Sequence, residues 1–92
     1  MLMIREVFIT KPGQASKLAK LMKEVMPKSL VMTDVTGVFN KVVVATEIEN
    51  LAAFEERMKE YSSNKNKGAE VKMKGYTDMY TSGKREIYRV VD

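Results

Sequence analysis

The chain is organised around its densest run of β-branched residues, which lies near its middle. Residues 39–50 contain three consecutive valines, a further isoleucine and a closing Asn50. β-branched residues favour strands, and Asn is a preferred residue at the start of a helix. The pattern therefore predicts a central strand over this segment that leads directly into a helix.

Another strand is predicted at the start of the chain, over residues 2–10. Its apolar side chains fall on both faces, with Leu2, Ile4 and Phe8 on one and Met3, Val7 and Ile9 on the other. A strand that is apolar on both faces needs cover on both sides of its sheet. After it, Thr10 is expected to cap a helix and Pro12 to occupy the first helical turn.

Two amphipathic helices are predicted from apolar residues that recur at three- and four-residue spacing. The first covers residues 14–26 and carries lysines on its polar side, and Pro27 ends it. The second covers residues 51–62, with Asn50 as its cap. Its apolar stripe consists of Leu51, Phe54, Met58 and Tyr61.

The remaining segments are connections and shorter strands. Residues 29–36 predict a strand, joined to the central one by a hairpin turn at Thr36 and Gly37. Residues 62–66 are typical of a loop, and residues 69–74 predict either a helical turn or an irregular connection. In residues 76–91, strand-forming residues flank Gly83, so this segment is a long strand kinked at a glycine bulge or a hairpin; we favour the kinked strand.

The order strand, helix, strand, strand, helix, strand predicts an α+β protein with the ferredoxin-like βαββαβ fold. In that fold a four-stranded antiparallel sheet has both helices on one face, and the first and third strands are central. The other sheet face would expose apolar side chains such as Met3, Val7 and Val43. Because large exposed apolar patches usually mark interfaces, we expect a second copy to pack there, sheet against sheet.

Composition limits the chemistry that the chain can perform. Its 92 residues fit one domain, residues 1–92, and include no Cys and no His. Thiolate nucleophiles, disulfides and the commonest metal and haem ligands are thereby excluded. The net charge of +4 is spread among mixed charges, which is typical of a solvated surface. Neither a signal peptide nor a membrane span is indicated, so we expect a cytoplasmic location.

Several segments together resemble the dimeric α+β barrel superfamily, and within it the NIPSNAP-like and antibiotic-biosynthesis-monooxygenase-like groups. They are the turn at residues 10–13, the strand at residues 41–49, the following Leu51, Phe54 and Glu55, and the ending at residues 82–90. The resemblance implies a homodimer whose two sheets form one barrel, with a small pocket in each subunit between its own sheet and helices. It does not settle the reaction, because the superfamily includes monooxygenases, isomerases, haem enzymes and proteins of no known activity.

The resemblance implies candidate site residues. Cofactor-free monooxygenases of the superfamily hold a polyphenolic substrate among polar side chains, for which Asn40, Tyr61 and Tyr80 are the candidates here. An isomerase-like reaction would need a placed carboxylate, Glu6 or Glu47, paired with Arg5, Lys41 or Arg89. Arg85 and Glu86 are most simply dimer contacts, and each candidate also has an ordinary structural role open to it. Haem-using relatives depend on a histidine that is absent, so no cofactor is expected.

Two other protein classes with this order of strands and helices fit the sequence poorly. The turn after the first strand lacks the arginine loop with which acylphosphatases cradle an anion, and the central strands lack the aromatic pattern with which RNA-recognition domains stack bases. The leading hypothesis is therefore a cytoplasmic homodimer with a small-molecule pocket, acting as a cofactor-independent monooxygenase-like enzyme on an aromatic or polyketide-like compound. The alternative is a non-enzymatic ligand-binding or structural dimer of the same fold. Nucleic-acid and membrane partners are not expected.

Overall fold

The computed structural model describes residues 1–37, 39–62 and 75–91, with the side chains of Tyr61 and Ser62 left out. Four strands and two helices alternate in the predicted order. They are β1 (Leu2–Thr10), α1 (Ala15–Val25), β2 (Leu30–Thr33), β3 (Lys41–Ile48), α2 (Leu51–Ser62) and β4 (Tyr80–Arg89), with a 3₁₀ turn at Tyr76–Asp78 before the last strand.

The strands form one antiparallel sheet in the order β2-β3-β1-β4. β1 pairs with β3 from Leu2 opposite Ile48 to Ile9 opposite Lys41, and with β4 along its other edge. The two strands with the richest apolar patterns are thus central, as the sequence predicts. This is the ferredoxin-like α+β fold.

The register divides the side chains between two faces, because neighbouring residues of a strand point to opposite sides. Phe8, Val42 and Val44 lie on the helix-facing side, where they form the core with Leu18 and Met22 of α1. Leu18 is 0% exposed and Met22 is 1% exposed, so α1 closes its half of the sheet completely. α2 covers the same face, since Phe54 lies under Arg85, which is the register partner of Glu6 and therefore shares its face with Phe8.

The first helix begins later than the sequence predicts, and Thr10 does not cap it. Thr10 is the buried last residue of β1, and its hydroxyl donates to the Asn40 carbonyl oxygen at 2.9 Å. Pro12 lies in the turn that precedes the helix, and Gln14 occupies the cap position without a side-chain hydrogen bond. The predicted cap of α2 is confirmed, because the Ala53 amide donates to Asn50 Oδ1 at 2.8 Å.

The last strand is one long strand with a bulge, as favoured, but the bulge is not at Gly83. Ile9 pairs with Ser82 and Thr10 with Tyr80, so Thr81 is the additional residue. Its hydroxyl donates to the Ile9 carbonyl oxygen at 3.1 Å, which satisfies that acceptor locally. The strand begins at Tyr80, and the segment before it that was predicted as strand is the 3₁₀ turn.

Two connections differ from the prediction or lie outside it. β2 ends at Thr33, and Asp34 closes the connection to β3 by accepting a hydrogen bond from the Lys41 amide at 2.8 Å. Gly37 in this connection has a φ of +108°, which fits its predicted place in a turn. The predictions for residues 63–66 and 69–74 lie outside the described residues. Within the described part of the chain, no helix is long and apolar enough to cross a membrane.

Candidate functional site

Polar and aromatic side chains meet on the helix-facing side of β1 and β4. The register places Glu6 directly opposite Arg85, and Phe8 directly opposite Gly83. With the period of two in a strand, these four positions form two adjacent cross-strand rows on one face. We call the group that gathers there the helix-side cluster; it consists of Glu6, Phe8, Phe54, Tyr76, Tyr80 and Arg85.

An ion pair and a cation–π contact hold Arg85 from two sides. Its Nε lies 3.6 Å from Glu6 Oε1, and its guanidinium carbon lies 5.4 Å from the centre of the Phe54 ring. The side chains of Arg85 and Glu6 are 43% and 25% exposed. An ion pair that is this accessible contributes at most about 1 kcal/mol to stability. So small a contribution to stability does not explain why a charged pair lies on the side of the sheet that holds the core.

Three aromatic rings, from β1, the 3₁₀ turn and the start of β4, continue the cluster. The ring centres of Phe8 and Tyr80 are 5.0 Å apart, and those of Tyr76 and Tyr80 are 5.9 Å apart, both in tilted arrangements. Gly83 makes room for them, because a Cβ there would lie 3.3 Å from Phe8 Cδ1 and 3.6 Å from Tyr80 Cε2. A glycine in the middle of a strand is otherwise unfavourable, and here it permits a close approach of rings.

The pKa of Tyr76 is affected both by the neighbouring Tyr80 ring and by the Arg85–Glu6 ion pair. Burial raises the pKa of Tyr76 above its ordinary value, and the charge and hydrogen bonding of Tyr80 and the negative charge of Glu6 raise it further, while the positive charge of Arg85 lowers it. Tyr76 therefore keeps its phenolic proton at neutral pH and can act as a hydrogen-bond donor. The cluster thus combines one cation, one carboxylate and phenolic hydroxyl groups beside aromatic surface.

The two halves of the helix-facing side differ in closure. Under α1, Leu18, Met22, Val42 and Val44 leave no more than 1% of any side chain exposed. Toward β4, Arg85 is exposed, and Phe54, Tyr76 and Tyr80 are half-buried. A small molecule can therefore contact polar and aromatic groups at the β4 half, whereas the α1 half is closed by apolar packing.

The opposite side of the sheet, which we call the open face, carries a separate charge network. Glu86 Oε1 lies 3.6 Å from Arg5 Nη1, Glu86 Oε2 lies 3.7 Å from Lys84 Nζ, and the Tyr88 hydroxyl donates to Glu86 Oε2 at 2.7 Å. That hydrogen bond lowers the pKa of Glu86 against the opposing effect of burial, and the two cations lower it further. The same bond raises the pKa of Tyr88.

Apolar side chains surround this network on the open face. By the register they are Met3, Val7, Ile9, Leu30, Met32, Val43 and Ala45. Val7 and Val43 are already buried within one chain, whereas Leu30 is 62% exposed, Met32 42% and Tyr88 47%. The open face is thus a mixed surface with an apolar edge along β2 and a charged edge along β4.

The predicted site residues are only partly brought together. Tyr80 lies in the helix-side cluster. Asn40 adopts a left-handed backbone with a φ of +63°, and its carbonyl oxygen accepts hydrogen bonds from Thr10, the register partner of Tyr80. Asn40 and Tyr80 therefore flank the same end of β1. Tyr61 belongs to α2, and its side chain lies outside the described part.

The carboxylate candidates separate onto the two faces. Glu47 is exposed on the open face, as the partner of Met3, and Glu6 lies in the helix-side cluster. The ion-pair partner of Glu6 is Arg85, which was not among the three partners expected for it. Arg85 was instead expected at a dimer contact, but it lies on the helix-facing side. Only the strand register, which pairs it with Glu6, could have indicated this.

Metal binding finds no support among the residues that the structure describes. No group of three or more acidic side chains is close enough together there to hold a metal ion. The helix-side cluster instead has the composition of a site for an organic molecule, with few polar groups beside aromatic surface.

Comparison with solved structures identifies the fold. An uncharacterised NIPSNAP domain protein from Burkholderia xenovorans superposes with a TM-score of 0.81 at 9% identity, over 99% of this chain and 95% of that one. A NIPSNAP family protein from Agrobacterium tumefaciens gives a TM-score of 0.80 at 12% identity, over 100% of this chain and 95% of that one. The chain shares its fold with the NIPSNAP domain proteins.

A second group of structures is similar to a lesser degree. A structure described as an antibiotic biosynthesis monooxygenase has a TM-score of 0.64 at 15% identity, and each chain covers 100% of the other. No protein-family model matches the sequence, and no curated protein matches it significantly. The resemblance expected from the sequence is confirmed at the level of the NIPSNAP and monooxygenase-like fold. At these identities the likeness concerns the fold alone.

Proposed function

We propose that the protein binds a small aromatic compound at the helix-side cluster. The observation that carries this proposal is the convergence of a half-exposed Arg85–Glu6 pair with the Tyr76 and Tyr80 rings on the side of the sheet that faces the helices. Tyrosine and phenylalanine rings provide planar apolar surface for an aromatic ligand, and the charged and phenolic groups fix its orientation. A site closed by methionine and leucine would have favoured a purely structural role.

Two tyrosines of β4 on opposite faces provide a matched test. Binding of simple phenols and aromatic acids is measured by ligand-observed NMR with the wild type, Tyr80→Leu and Tyr88→Leu. Loss of the Tyr80 ring should abolish or strongly reduce binding, while loss of the Tyr88 ring on the open face should leave it unchanged. Equal binding by both variants, or no binding to the wild type, would remove the helix-side cluster as an aromatic site.

The assembly in this proposal is a homodimer formed through the open face. Its support is the apolar edge along β2, where Leu30 and Met32 remain exposed in a single chain. Contact between two such edges would remove this apolar surface from water. Native mass spectrometry tests the proposal directly: a dimer at twice 10.5 kDa is expected, and a monomer at all concentrations would contradict it.

A second candidate function is cofactor-independent oxygenation of a bound phenol, in the manner of monooxygenases. The polar composition of the cluster favours it, because a carboxylate can accept the phenolic proton and an adjacent guanidinium can stabilise the resulting phenolate. The substrate carbon would then form a quinone carbonyl with one atom of molecular oxygen. The hydrogen of that carbon and the phenolic proton would leave with the other oxygen atom as water, so the substrate itself supplies the electrons. Oxygen consumption with a phenol that binds tests this function. Its absence would leave a ligand-binding protein without catalysis.

The remaining candidate residues, Asn40 and Tyr61, belong to the same proposal. Asn40 flanks the end of β1 that Tyr80 also flanks, so we place it at the margin of the site. Under the oxygenase candidate, Asn40→Ala should abolish turnover while the dimer stays intact. The left-handed backbone of Asn40 is also accessible to glycine. Asn40→Gly is therefore the control that removes the same side chain while preserving the turn.

A further inference from the structure

Arg85 has a hydrogen-bonding edge that no described residue occupies. A guanidinium has five N–H groups, one on Nε and four on the two Nη atoms. The contact with Glu6 is made by Nε, and the guanidinium carbon lies over the Phe54 ring. Among the described residues, neither Nη atom has a hydrogen-bond partner, and 43% of the side chain is accessible to solvent. The described residues therefore leave the pair of Nη groups available to a ligand.

The two existing contacts also restrain that edge. Glu6 binds the guanidinium at its Nε end, and the ring of Phe54 lies against it, so two different elements, β1 and α2, limit its rotation. A restrained, planar fork matches the two oxygens of a carboxylate and can bind both at once. Glu6 thus acts as a positioning residue for Arg85, and it neutralises part of the charge while leaving the Nη donors free.

We propose that the ligands of the helix-side cluster are monocyclic aromatic carboxylates, an inference that rests on the proposed function. The carboxylate pairs with the Nη edge of Arg85, and the ring lies against the aromatic surface of Tyr76 and Tyr80. A neutral aromatic compound of the same shape makes the ring contacts alone. The cluster therefore selects by charge, with Arg85 as the residue that determines specificity.

The open face supplies a closely matched control for Arg85. Arg5 is 42% exposed and lies 3.6 Å from its glutamate partner, against 43% and 3.6 Å for Arg85. Arg5 is on the opposite side of the sheet, where it interacts with the Tyr88 hydroxyl, and no cation–π contact is found for it among the described residues. Arg5→Gln and Arg85→Gln therefore remove the same charge from two different faces, and Glu86 keeps Lys84 as a partner when Arg5 is replaced.

The test measures binding of benzoate and benzamide by isothermal titration calorimetry. The wild type and Arg5→Gln should bind benzoate roughly tenfold or more tightly than benzamide, because a hydrogen bond to a charged group is stronger than one to a neutral group. Arg85→Gln should bind the two compounds equally. Arg85→Lys retains the charge without the planar fork and should show an intermediate preference, and circular dichroism checks that each variant is folded.

The outcomes separate this inference from the proposed function. If the wild type binds neither compound, the aromatic site itself is refuted. If it binds both equally, the site stands and selection for carboxylates is refuted. A preference for benzoate that survives in Arg85→Gln, or that disappears in Arg5→Gln, would place the anion-binding group elsewhere and would overturn the role of Arg85.

Discussion

Replacing Leu30 with Lys should weaken the proposed dimer strongly. Leu30 lies on the open face at the β2 edge, and 62% of it is exposed in one chain. Complete burial of a leucine side chain contributes about 1.5–3 kcal/mol. Covering the 62% that remains accessible therefore contributes about 1–2 kcal/mol per subunit as an upper value. Lysine loses this contribution and places a charge in the interface.

A two-fold dimer contains this contact twice, so the loss amounts to about 2–4 kcal/mol per dimer. Since each factor of ten corresponds to about 1.4 kcal/mol, the dissociation constant should rise roughly thirty-fold to several-hundred-fold. Sedimentation equilibrium over a concentration series measures it. Leu51→Lys is the matched control, because Leu51 is 57% exposed but lies on α2.

The two substitutions should have different effects if the open face is the interface. Leu30→Lys should shift the monomer–dimer equilibrium, and Leu51→Lys should leave it unchanged. Equal dissociation constants for the wild type and Leu30→Lys would refute the reasoning. So would an equal weakening by both variants, which would mean that added charge acts on association without regard to its position.

Three further predictions concern the core, the charge network of the open face and the aromatic rings of the helix-side cluster. Leu18→Ala should lower the free energy of unfolding by about 2–5 kcal/mol, measured by urea denaturation, because Leu18 is fully buried; a loss below about 1 kcal/mol would contradict the packing described. Glu86→Gln should lower the pKa of Tyr88 toward 10.0 in an ultraviolet pH titration, since the carboxylate that raises it is removed; an unchanged titration would show that the bond is absent in solution. Because the folded-state pKa of Tyr88 is raised, stability linked to this bond is present below 10.0 and is lost as the pH rises through the folded-state value. Gly83→Ala should reduce the free energy of binding of an aromatic ligand by more than it reduces the free energy of unfolding. The reason is that its Cβ would lie 3.3 Å from Phe8 and displace the rings by a few tenths of an ångström. Unchanged binding in calorimetry would show that these rings are not part of the binding site.

The fold was predictable because two local periodicities agree with one topology. The valine run of β3 and the two-sided apolar pattern of β1 mark the central strands, and the stripe that includes Leu18 and Met22 marks the helix that covers them. Element ends were harder to place, since they depend on tertiary contacts. Thr10 has the sequence features of a helix cap, but its hydroxyl is taken by the Asn40 carbonyl group across the sheet.

The position of the bulge and the residues of the site were even harder to predict from the sequence. Gly83 resembles a bulge residue in sequence, yet it is needed for the close approach of Phe8, and Thr81 is the additional residue. Arg85 could not be assigned to a face until the register was known, because a shift of one residue moves every side chain of a strand to the other side. The helix-side cluster is therefore a property of the register between β1 and β4 more than of any local motif.

The claim that an aromatic ligand binds at the helix-side cluster is tested most directly by intermolecular nuclear Overhauser effects with bound benzoate. The ring protons of benzoate should show contacts to the rings of Tyr80 and Tyr76 on the helix-facing side. They should show none to Tyr88, which shares β4 with Tyr80 but lies on the open face. Contacts to Tyr88 without contacts to Tyr80 would contradict the account and would place ligand binding on the open face.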